Sequence, residues 1–372
     1  MKVIIAGGGT GGHLFPGIAV AEEFQFKTKD TEEKTEKEDI LFVGTVHGIE
    51  AKAIPREGYK IKFIRARGVV GKSFAETVKA LFTFLLSISD SLRILKVKKP
   101  DVVIGVGGYA SAGMVTAAFI KRVPTLIMEQ NSVPGFANRF LGRFADAVAV
   151  TYQESIGFFS KDKTFLTGNP VRRKIFETEK EKAYSCFPLE RDKFTVLVFG
   201  GSLGARSINN AMIEAVPHLL NLRDRVQFLH QTGDRDFELV KDHYRKAGFK
   251  GVVVPFVYQM AEAYAVSDLV LCRAGATTLS EVTAVGKPAI LVPYPYAASN
   301  HQEYNARKLE DMGAARMIKD RELTGELLAA SIRELYANDA KRREMQNAAT
   351  AFGKKDAADK IVNLAFSITR KR

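Results

Sequence analysis

The sequence predicts an α/β fold made of two doubly wound, parallel-sheet domains, and three observations support this prediction. The chain has 372 residues, which is more than one domain of ordinary size. Short apolar runs alternate with glycine-rich turns and helical stretches, and the runs are continuous, as in parallel strands buried on both faces. The whole series occurs twice, once up to Thr151 and again from Thr195.

The apolar runs define the predicted strands. In chain order these strands are Val3–Ala6, Ile40–Val43, Val102–Gly105, Thr125–Met128, Val148–Thr151, Thr195–Phe199, Gln227–His230, Val252–Phe256, Leu269–Cys272 and Ala289–Val292. Strands that alternate with helices form right-handed βαβ units, so each series should build one open sheet. We therefore predict two Rossmann-like domains, 1–165 and 166–355, facing each other across a cleft at their strand ends. The helical stretch 356–372 can pack back on either domain, and our assignment places it on the N-terminal one.

Two polar segments separate these elements. The segment TGNPVRRKIFETEKEKAYSCFPLERDK, residues 167–193, is a plausible connection between the domains. The segment KTKDTEEKTEKED, residues 27–39, is charged at every position except its threonines. Charge runs of this kind usually belong to solvated surface, so we predict an insertion between the first helix and the second strand, with no chemical role.

Composition restricts the class of protein. Hydrophobic residues make up 46% and charged residues 26%, a globular balance, and the two cysteines, Cys186 and Cys272, match neither a disulfide framework nor a metal site. The N-terminal apolar run is too short for a secretory signal, and no run approaches the roughly 18 residues of a membrane span. A formal charge of +13 indicates an anionic partner, for which nucleic acid, a membrane surface and a phosphorylated substrate all qualify, or it serves solubility alone.

The first chemically informative turn is Gly7–His13, which follows the first strand and opens a helix. Glycines let the backbone approach an anion, and a helix N-terminus presents N–H groups to it. The turn also satisfies the dinucleotide pattern G-x-G-x-x-G, but the second strand ends at Gly44-Thr45 without the carboxylate that holds a ribose in that pattern. His13 is a candidate general base, or it simply bonds the loop.

Two further turns of the first half follow strands. Gly105–Ser111 is a second candidate anion cradle, or a tight turn whose glycines serve packing. Two cradles in one domain suit a pyrophosphate. Glu129-Gln130-Asn131, with Asn138 beyond it, offers amides that suit sugar hydroxyls, or it is an ordinary polar turn.

The second half repeats the pattern of strand, glycine turn and helix. Gly200–Ala205 is placed to receive a diphosphate leaving group, and Arg273–Glu281 supplies another helix N-terminus for phosphate. Glu281 is a bidentate acceptor for two ribose hydroxyls. Gln302 and Asn305 stand three residues apart and share one helix face, where they read sugar hydroxyls or merely begin a polar helix.

Together these motifs resemble one bacterial enzyme family. GGGTGGH, GGYAS, EQN, GNPVR, GGSLGA, FVYQM, RAGATTLSE and HQEYNA occur between Val3 and about Asn305 in the order found in the undecaprenyldiphospho-muramoylpentapeptide β-N-acetylglucosaminyltransferases of peptidoglycan synthesis. The resemblance is specific because eight motifs agree in order. It implies a GT-B fold and inverting transfer of N-acetylglucosamine from UDP-N-acetylglucosamine to the 4-hydroxyl of a lipid-linked muramoyl-pentapeptide.

Carried over position by position, the resemblance implies a set of site residues. The catalytic residues would be His13 as the base, with Glu129 as the alternative. The donor-binding residues would be Thr10, Gly11, Gly12, Asn131, Arg172, Ser202, Phe256, Val257, Met260, Ala276, Thr277, Thr278, Leu279, Ser280, Glu281, Gln302 and Asn305. The acceptor-binding residues would be Gly8, Gly9, Gly107, Gly108, Tyr109, Ser111 and Asn138. Leu203 stands where the family often has glutamine, so a side-chain contact is lost there.

The resemblance also gives the charge a meaning. The apolar stretch Ala80–Ile88 has basic residues near it, namely Lys72, Lys79, Arg93, Lys96, Lys98 and Lys99, with Arg139 and Arg143 as an extension. Such a stretch lies on an anionic bilayer without crossing it, or it is a buried packing helix. We expect peripheral attachment to the cytoplasmic face of the bacterial inner membrane, no cofactor and no metal. Other cell-wall synthesis proteins are further candidate partners.

Other classes of protein make different demands on the sequence. A UDP-N-acetylglucosamine 2-epimerase on the same architecture needs neither the lipid-facing stretch nor the second phosphate cradle. A nucleic-acid-binding protein would account for the charge, but the sequence has no tryptophan and no recognisable binding module. An NAD-dependent oxidoreductase is disfavoured by the missing carboxylate after the second strand.

Overall fold

The chain forms two compact units. The computed structural model describes residues 1–31, 34–66, 74–297 and 300–370, without the side chains of residues 74–78. Unit 1 consists of Met1–Arg172 together with Asp356–Arg372, and unit 2 of Arg173–Lys355. The division thus falls after Arg172, within the polar segment 167–193, whereas we placed the domain boundary after residue 165.

Unit 1 is built around a parallel sheet. Its strands are β1 (Val3–Gly7), β2 (Ile40–Gly44), β3 (Lys60–Phe63), β4 (Val102–Gly107), β5 (Thr125–Glu129), β6 (Ala147–Val150) and β7 (Thr164–Leu166). Among the described residues they lie in the order β3-β2-β1-β4-β5-β6-β7, which is a doubly wound arrangement. The predicted parallel sheet is confirmed, but β3 and β7 escaped prediction because these edge strands are largely exposed and lack a continuous apolar run.

Helices cover both faces of this sheet. They are α1 (Gly11–Thr28), α2 (Glu50–Arg56), α3 (Phe74–Lys98), α4 (Tyr109–Ile120), α5 (Phe136–Leu141) and α15 (Ala357–Arg370). Side chains alternate along a strand, so Val3 and Ile5 pack in the core formed with α1 and α15, while Ile4 packs in the core formed with α3 and α4.

Helix α15 belongs to unit 1 although unit 2 precedes it in the chain. Ile361, Val362 and Ala365 on this helix are fully buried. The rings of Phe24 in α1 and Phe366 in α15 meet edge to face, with centroids 5.7 Å apart. The last helix is therefore part of the core that supports β1.

Unit 2 repeats the architecture. Its strands are β8 (Phe194–Phe199), β9 (Val226–Gln231), β10 (Lys250–Val254), β11 (Leu269–Cys272), β12 (Ala289–Leu291) and β13 (Ala315–Met317). The helices are α6 (Arg173–Glu177), α7 (Lys180–Ala183), α8 (Arg206–Ala215), α9 (Phe237–Lys246), α10 (Met260–Val266), α11 (Ala276–Ala284), α12 (His301–Asp311), α13 (Gly325–Ala337) and α14 (Asp339–Phe352). The parallel strands lie in the order β10-β9-β8-β11-β12-β13 within the described ranges. The short edge strand β13 was not predicted.

Most described residues of the charged segment 27–39 are exposed, as expected for a solvated insertion, but two of its threonines are buried. Helix α1 continues to Thr28, whose hydroxyl accepts the backbone N–H of Thr35 at 2.8 Å, and both threonines are buried. Lys37 donates to the carbonyl of Glu57 at 2.9 Å. The threonines, which break the charge pattern, are the points that fasten this segment; residues 32 and 33 lie outside the described residues.

Candidate functional site

Two glycine turns of unit 1 lie against each other at the carboxyl ends of β1 and β4. A Cβ atom at Gly7 would lie 2.4 Å from the carbonyl oxygen of Gly107, and one at Gly108 would lie 2.6 Å from that of Gly8. Gly107 and Gly108 also have φ angles of 100° and 80°, which side chains rarely tolerate. The two predicted cradles therefore form adjoining backbone surfaces at one edge of the sheet.

His13 stands between these turns as the third residue of α1. Its Nδ1 lies 3.3 Å from the carbonyl oxygen of Gly8 and 3.4 Å from Oγ1 of Thr10. Its ring packs on the backbone of Gly107, where a Cβ atom would lie 2.9 Å from Nε2. A carbonyl oxygen only accepts hydrogen bonds, so the Gly8 contact selects the tautomer with the proton on Nδ1. Nε2 is then the basic nitrogen.

Glu129 ends β5, and its carboxylate anchors the turn that follows. Oε1 accepts the backbone N–H of Asn131 at 2.9 Å, and Oε2 accepts that of Gly135 at 3.2 Å and the amide of Asn138 at 2.9 Å. Burial raises the pKa of Glu129 above the usual carboxyl range, although these donors oppose the shift. The alternative prediction that Glu129 is the base is not supported, because its carboxylate is buried behind its own turn.

Two residues that we assigned to the acceptor are buried instead. Asn138 is 6% exposed and donates to the carbonyl of Met128 at 3.0 Å, as well as to Glu129. Ser111 is 1% exposed, with its hydroxyl against Gly105 in β4. Tyr109, by contrast, begins α4 and is 55% exposed. The sequence placed Tyr109 and Ser111 at one turn and Asn138 beyond the next, but it did not reveal which of these side chains point inward.

A carboxylate that we did not predict reaches the first glycine turn. Glu50 begins α2 and is 1% exposed. Its Oε2 accepts the N–H of Gly9 at 2.8 Å, and its Oε1 accepts that of Thr45 at 2.9 Å. We expected no carboxylate near the end of β2 and assigned Gly9 to the acceptor, but its N–H is taken up by Glu50. The available signal was a carboxylate closely preceded by Gly44 and Gly48.

The turn after β8 is the candidate diphosphate site of unit 2. Gly204 has a φ of 77°, and a Cβ atom there would lie 1.9 Å from the carbonyl oxygen of Thr232. The side chain of Ser202 is exposed, and α8 begins directly after this turn. Leu203 is 90% exposed, so its side chain takes no part in holding the loop. Backbone N–H groups and Ser202 are the groups that this turn offers to a phosphate.

Arg273, which our site prediction omitted, joins several loops at this edge. It donates to the carbonyls of Val292 at 3.2 Å and Pro293 at 3.1 Å, to Ser207 in α8 at 2.7 Å, and to Asp320. Its side chain is 11% exposed. It therefore fixes the ends of β11 and β12 against the start of α8. Its position directly after a buried strand was the sequence signal.

Helix α10 and the turn before it present the predicted uracil site. Phe256 and Met260 are partly exposed, whereas Val257 is 2% exposed. The N–H of Val257 donates to Oε1 of Gln231 at 2.9 Å. The backbone of Val257 thus offers its carbonyl oxygen to a base, and Gln231, which we did not predict, sets the geometry of the turn.

Helix α11 presents its N-terminus and Glu281. The side chain of Leu279 is buried in the core, and the hydroxyl of Ser280 donates to the carbonyl of Ala276 at 2.9 Å. The predicted donor contacts of Leu279 and Ser280 therefore have no support from their side chains. Thr277 is also largely buried. The groups that can bind a phosphate here are therefore the backbone of residues 276–278 and the partly exposed side chain of Thr278. Glu281 accepts the hydroxyl of the fully buried Tyr264 at 3.0 Å.

The two amides on α12 do not share one environment, although their spacing predicted that they would. Gln302 accepts the backbone N–H of Tyr294 at 2.9 Å near the surface. Asn305 is fully buried within unit 2. Gln302 can reach a sugar at this edge with its amide nitrogen, but Asn305 cannot contact a ligand from this position.

Arg172 lies against carboxylates of unit 1. Its guanidinium binds Glu57 through two hydrogen bonds of 3.0 Å and Glu22 through another of 3.0 Å. Bidentate pairing of an arginine with a carboxylate is among the strongest hydrogen-bonded interactions of protein side chains. A donor pyrophosphate would have to compete with both carboxylates for this side chain, so the predicted phosphate contact has no support from this arrangement.

The described residues bring no three or more His, Cys, Asp or Glu side chains together in a group that could hold a metal ion. The polar groups described at the strand ends of both units are backbone N–H groups, hydroxyls, amides, isolated carboxylates, the imidazole of His13 and the guanidinium of Arg273.

Fold and loops together are those of a glycosyltransferase. Residues 3–150 match the Glycosyltransferase family 28 N-terminal domain, and residues 195–361 match the Glycosyltransferase family 28 C-terminal domain. Both matched ranges contain the glycine turns described above. The relatives of the chain narrow this class further.

One relative, the UDP-N-acetylglucosamine–N-acetylmuramyl-(pentapeptide) pyrophosphoryl-undecaprenol N-acetylglucosamine transferase of Thermodesulfovibrio yellowstonii, is 52% identical over 372 residues and covers 100% of both chains. The protein of the same name from Geobacter sulfurreducens is 48% identical, again over 100% of both chains. The crystal structure of Acinetobacter baumannii MurG has a TM-score of 0.74 at 30% identity and covers 98% of this chain and 99% of that one. The chain belongs to this family of N-acetylglucosamine transferases within glycosyltransferase family 28.

Structures of other enzymes share the fold. The UDP-GlcNAc 2-epimerase of Neisseria meningitidis, bound to UDP-GlcNAc, has a TM-score of 0.68 at 14% identity and covers 99% of this chain and 100% of that chain. At this identity the likeness concerns the fold alone.

Proposed function

We propose that the protein transfers N-acetylglucosamine from UDP-N-acetylglucosamine to the 4-hydroxyl of a lipid-linked muramoyl-pentapeptide, with inversion at the anomeric carbon. The observation that carries this proposal is full-length agreement with the named transferases, 52% identical across both units. Agreement over both units is important because an acceptor half and a donor half are each required for transfer.

Unit 2 would hold the donor. The carbonyl of Val257, with Phe256 and Met260 around it, suits a uracil ring, since a carbonyl accepts the ring N–H. Glu281, oriented by Tyr264, suits the ribose hydroxyls. The turn at Ser202 and the start of α11 would take the diphosphate, where N–H groups and helix dipoles stabilise negative charge.

Unit 1 would hold the acceptor and the base. The backbone of Gly8, Gly107 and Gly108 suits the acceptor pyrophosphate, and Tyr109 is exposed beside it. His13 would remove the proton of the 4-hydroxyl through Nε2 while that oxygen attacks the anomeric carbon and UDP departs with the bonding electron pair. The charge that develops on UDP is the charge that the loops of unit 2 are suited to stabilise.

The test of this proposal is transfer of labelled N-acetylglucosamine from its UDP donor to a muramoyl-pyrophosphoryl-polyprenol acceptor. We expect labelled disaccharide-lipid that appears only when both substrates are present. We expect His13→Gln to retain UDP binding and to lower kcat by about 100-fold or more, since general bases contribute on that order. If the labelled donor is bound but yields 2-epimerised sugar and no disaccharide, the reaction class is that of an epimerase and the proposal fails.

We further propose that α3 attaches the protein to an anionic membrane surface. Leu81, Phe82 and Leu85 are 57–61% exposed on one side of α3. The other side packs on α4, where a Cβ atom at Gly113 would lie 2.3 Å from Oγ of Ser87. One side of the helix is thus a packing face, and the exposed apolar side supports the proposed contact with a membrane surface. Lys79, Arg93, Lys96, Lys99, Arg139 and Arg143 are exposed, Lys98 is half-buried, and Lys72 lies outside the described residues.

Attachment to a membrane surface agrees with the lipid-linked acceptor that the names of the relatives give. None of the helices in the described ranges is both long enough and apolar enough to span a bilayer. We assign the attachment to the cytoplasmic face, where anionic lipids attract basic residues by about 1 kcal/mol each.

Charge reversal tests the membrane proposal. Lys79→Glu, Arg93→Glu, Lys96→Glu and Lys99→Glu together should reduce binding to vesicles that contain anionic lipid by at least about 100-fold. The matched control reverses Lys241, Lys246, Lys308 and Lys341, which lie on helices of unit 2. Unchanged vesicle binding by the α3 variant, or an equal loss in the control, would refute the proposal.

A further inference from the structure

Glu50 occupies a space that the surrounding backbone leaves for it. A Cβ atom at Gly8 would lie 2.3 Å from the Glu50 carboxylate carbon, and one at Gly48 would lie 2.0 Å from Oε2. A Cβ atom at Gly44 would lie 2.5 Å from the Glu50 side chain as well. Any side chain at these glycines would displace the carboxylate, so the position of the carboxylate depends on the absence of all three side chains.

The carboxylate is also fully committed to hydrogen bonds. Oε2 accepts the N–H of Gly9 at 2.8 Å, while Oε1 accepts the N–H of Thr45 at 2.9 Å and its hydroxyl at 3.0 Å. The residue is 1% exposed, which is rare for a carboxylate unless its oxygens are paired. Glu50 thereby ties the first glycine turn to the end of β2.

One peptide group connects Glu50 to His13. The N–H of Gly9 and the carbonyl of Gly8 belong to the same planar trans peptide, so they point in opposite directions. Glu50 binds the N–H end, and the carbonyl end lies 3.3 Å from Nδ1 of His13. Both neighbouring glycines have positive φ angles, of 142° and 85°, and such a peptide between glycines would otherwise rotate easily.

We propose that Glu50 is a positioning residue for the transfer reaction. By holding the N–H of Gly9, it keeps the carbonyl of Gly8 aimed at Nδ1 of His13. That carbonyl fixes the proton on Nδ1 and leaves Nε2 to accept the proton of the acceptor hydroxyl. This inference rests on the proposed function, in which His13 is the base. A third group that orients the base in this way is a recurring feature of acid–base sites.

The Glu50→Gln variant tests this proposal in the full-length protein. Glutamine keeps the side-chain shape, but its single carbonyl oxygen cannot accept the N–H groups of both Gly9 and Thr45, and its NH2 group faces the other donor. We expect kcat to fall by about 10- to 100-fold while the Kd for UDP stays within about twofold, because misplacement of a base impairs the chemical step. The acidic limb of the kcat profile should move to lower pH, since the imidazolium of His13 loses an aligned acceptor.

Gly48→Ala provides a second and independent route to the same displacement. It leaves the carboxylate in the chain but places a methyl group where Oε2 now lies. It should shift the pH profile in the same direction as Glu50→Gln. The control is Asp101→Asn, because Asp101 also accepts a backbone N–H, that of Lys2 at 2.7 Å, but at the amino end of the sheet. Its pH profile should match the parent.

The 15N resonances of His13 give a readout that does not depend on activity. We expect the parent to hold its proton on Nδ1 and Glu50→Gln to show a mixture of tautomers. An unchanged tautomer, or an activity loss in Glu50→Gln with an unmoved pH profile, would overturn the positioning role. If the parent fails to transfer N-acetylglucosamine while its His13 tautomer responds to Glu50→Gln, the proposed function fails and the positional link stands.

Discussion

At the scale of the residue, Gly204 shows how a single missing side chain shapes the donor loop. Its φ of 77° lies in the left-handed region, and a Cβ atom there would lie 1.9 Å from the carbonyl oxygen of Thr232. Gly201 in the same turn has a φ of 94° but has nothing within 4 Å of a Cβ atom. The two glycines therefore separate the effect of backbone angle from that of close approach.

The first prediction uses this pair. Gly204→Ala should weaken UDP binding at least tenfold, about 1.4 kcal/mol, because the turn must move away from Thr232. Gly201→Ala carries only the cost of its backbone angle, about 1–2 kcal/mol of stability, and should bind UDP nearly normally. Isothermal titration with UDP measures both variants. Equal affinities for UDP in the two variants would show that the close approach at Gly204 is unimportant.

Other residue positions show what sequence patterns leave undetermined. The glycine turns and His13 were predicted because strand, turn and helix follow one another closely in the sequence. Ser111, Leu279 and Asn305 were placed on the correct elements, but their burial depends on how each helix is rotated against its sheet. Glu50 and Arg273 act across the fold on loops distant in the chain, and local patterns carry little information on such contacts.

At the scale of the element, burial separates the strands that were predicted from those that were missed. Central strands such as β1 and β8 are buried on both faces and have continuous apolar sequences. β3 and β13 each lie at an edge of their sheet. β3 has the sequence KIKF and is mostly exposed, and β13 has only three residues. Periodicity detects burial, so it detects edge strands poorly.

A buried polar cluster connects elements beneath the donor loops of unit 2. Nδ1 of His230 in β9 lies 2.9 Å from the hydroxyl of Tyr244 in α9, and Nε2 lies 3.1 Å from Oδ1 of Asn209 in α8. Asn209 in turn donates to Asp236 at 2.8 Å. Burial lowers the pKa of His230 from 6.5 to about 3, so the ring is neutral at physiological pH.

The second prediction concerns the pH dependence of stability. An unfolded His230 binds a proton below pH 6.5, whereas the folded form binds one only below about pH 3. The contribution of this residue to stability is therefore complete above pH 6.5 and declines as the pH falls toward 3, by about 1.4 kcal/mol per pH unit. When the free energy of unfolding is measured with urea at several pH values, it should change less steeply with pH for His230→Gln than for the parent. His218→Gln, at an exposed position, is the control substitution for the loss of a histidine.

At the scale of the whole molecule, unit 1 is assembled from two separate parts of the chain. Helix α15 contributes Ile361, Val362 and Ala365 to the core that also contains Val3 and Ile5 of β1. The amphipathic pattern of this helix was visible in the sequence, but the pattern does not specify which unit receives it. Its partner is determined by shape and by pairings such as Lys27 with Asp359.

The third prediction tests this division. Ile361→Ala should destabilise unit 1 by about 2–5 kcal/mol, because it removes a fully buried side chain. Hydrogen exchange should accelerate in β1 and α1 but not in β8 or β11. The neighbouring Lys360→Ala, at an exposed position of α15, should change little. Equal acceleration in both units would mean that they unfold as one cooperative body.

The split composition of unit 1 has a consequence for biosynthesis. A ribosome translates Arg173–Lys355 after the first part of unit 1 and before its closing helix. At roughly 5–20 residues per second, this interval lasts about 10–40 s. Throughout it, the apolar residues of α1 that pack against α15 in the finished unit, such as Phe24, lack this partner. Unit 2 emerges complete and can fold before α15 is available to unit 1, so the unit that is begun second can be the first to finish folding.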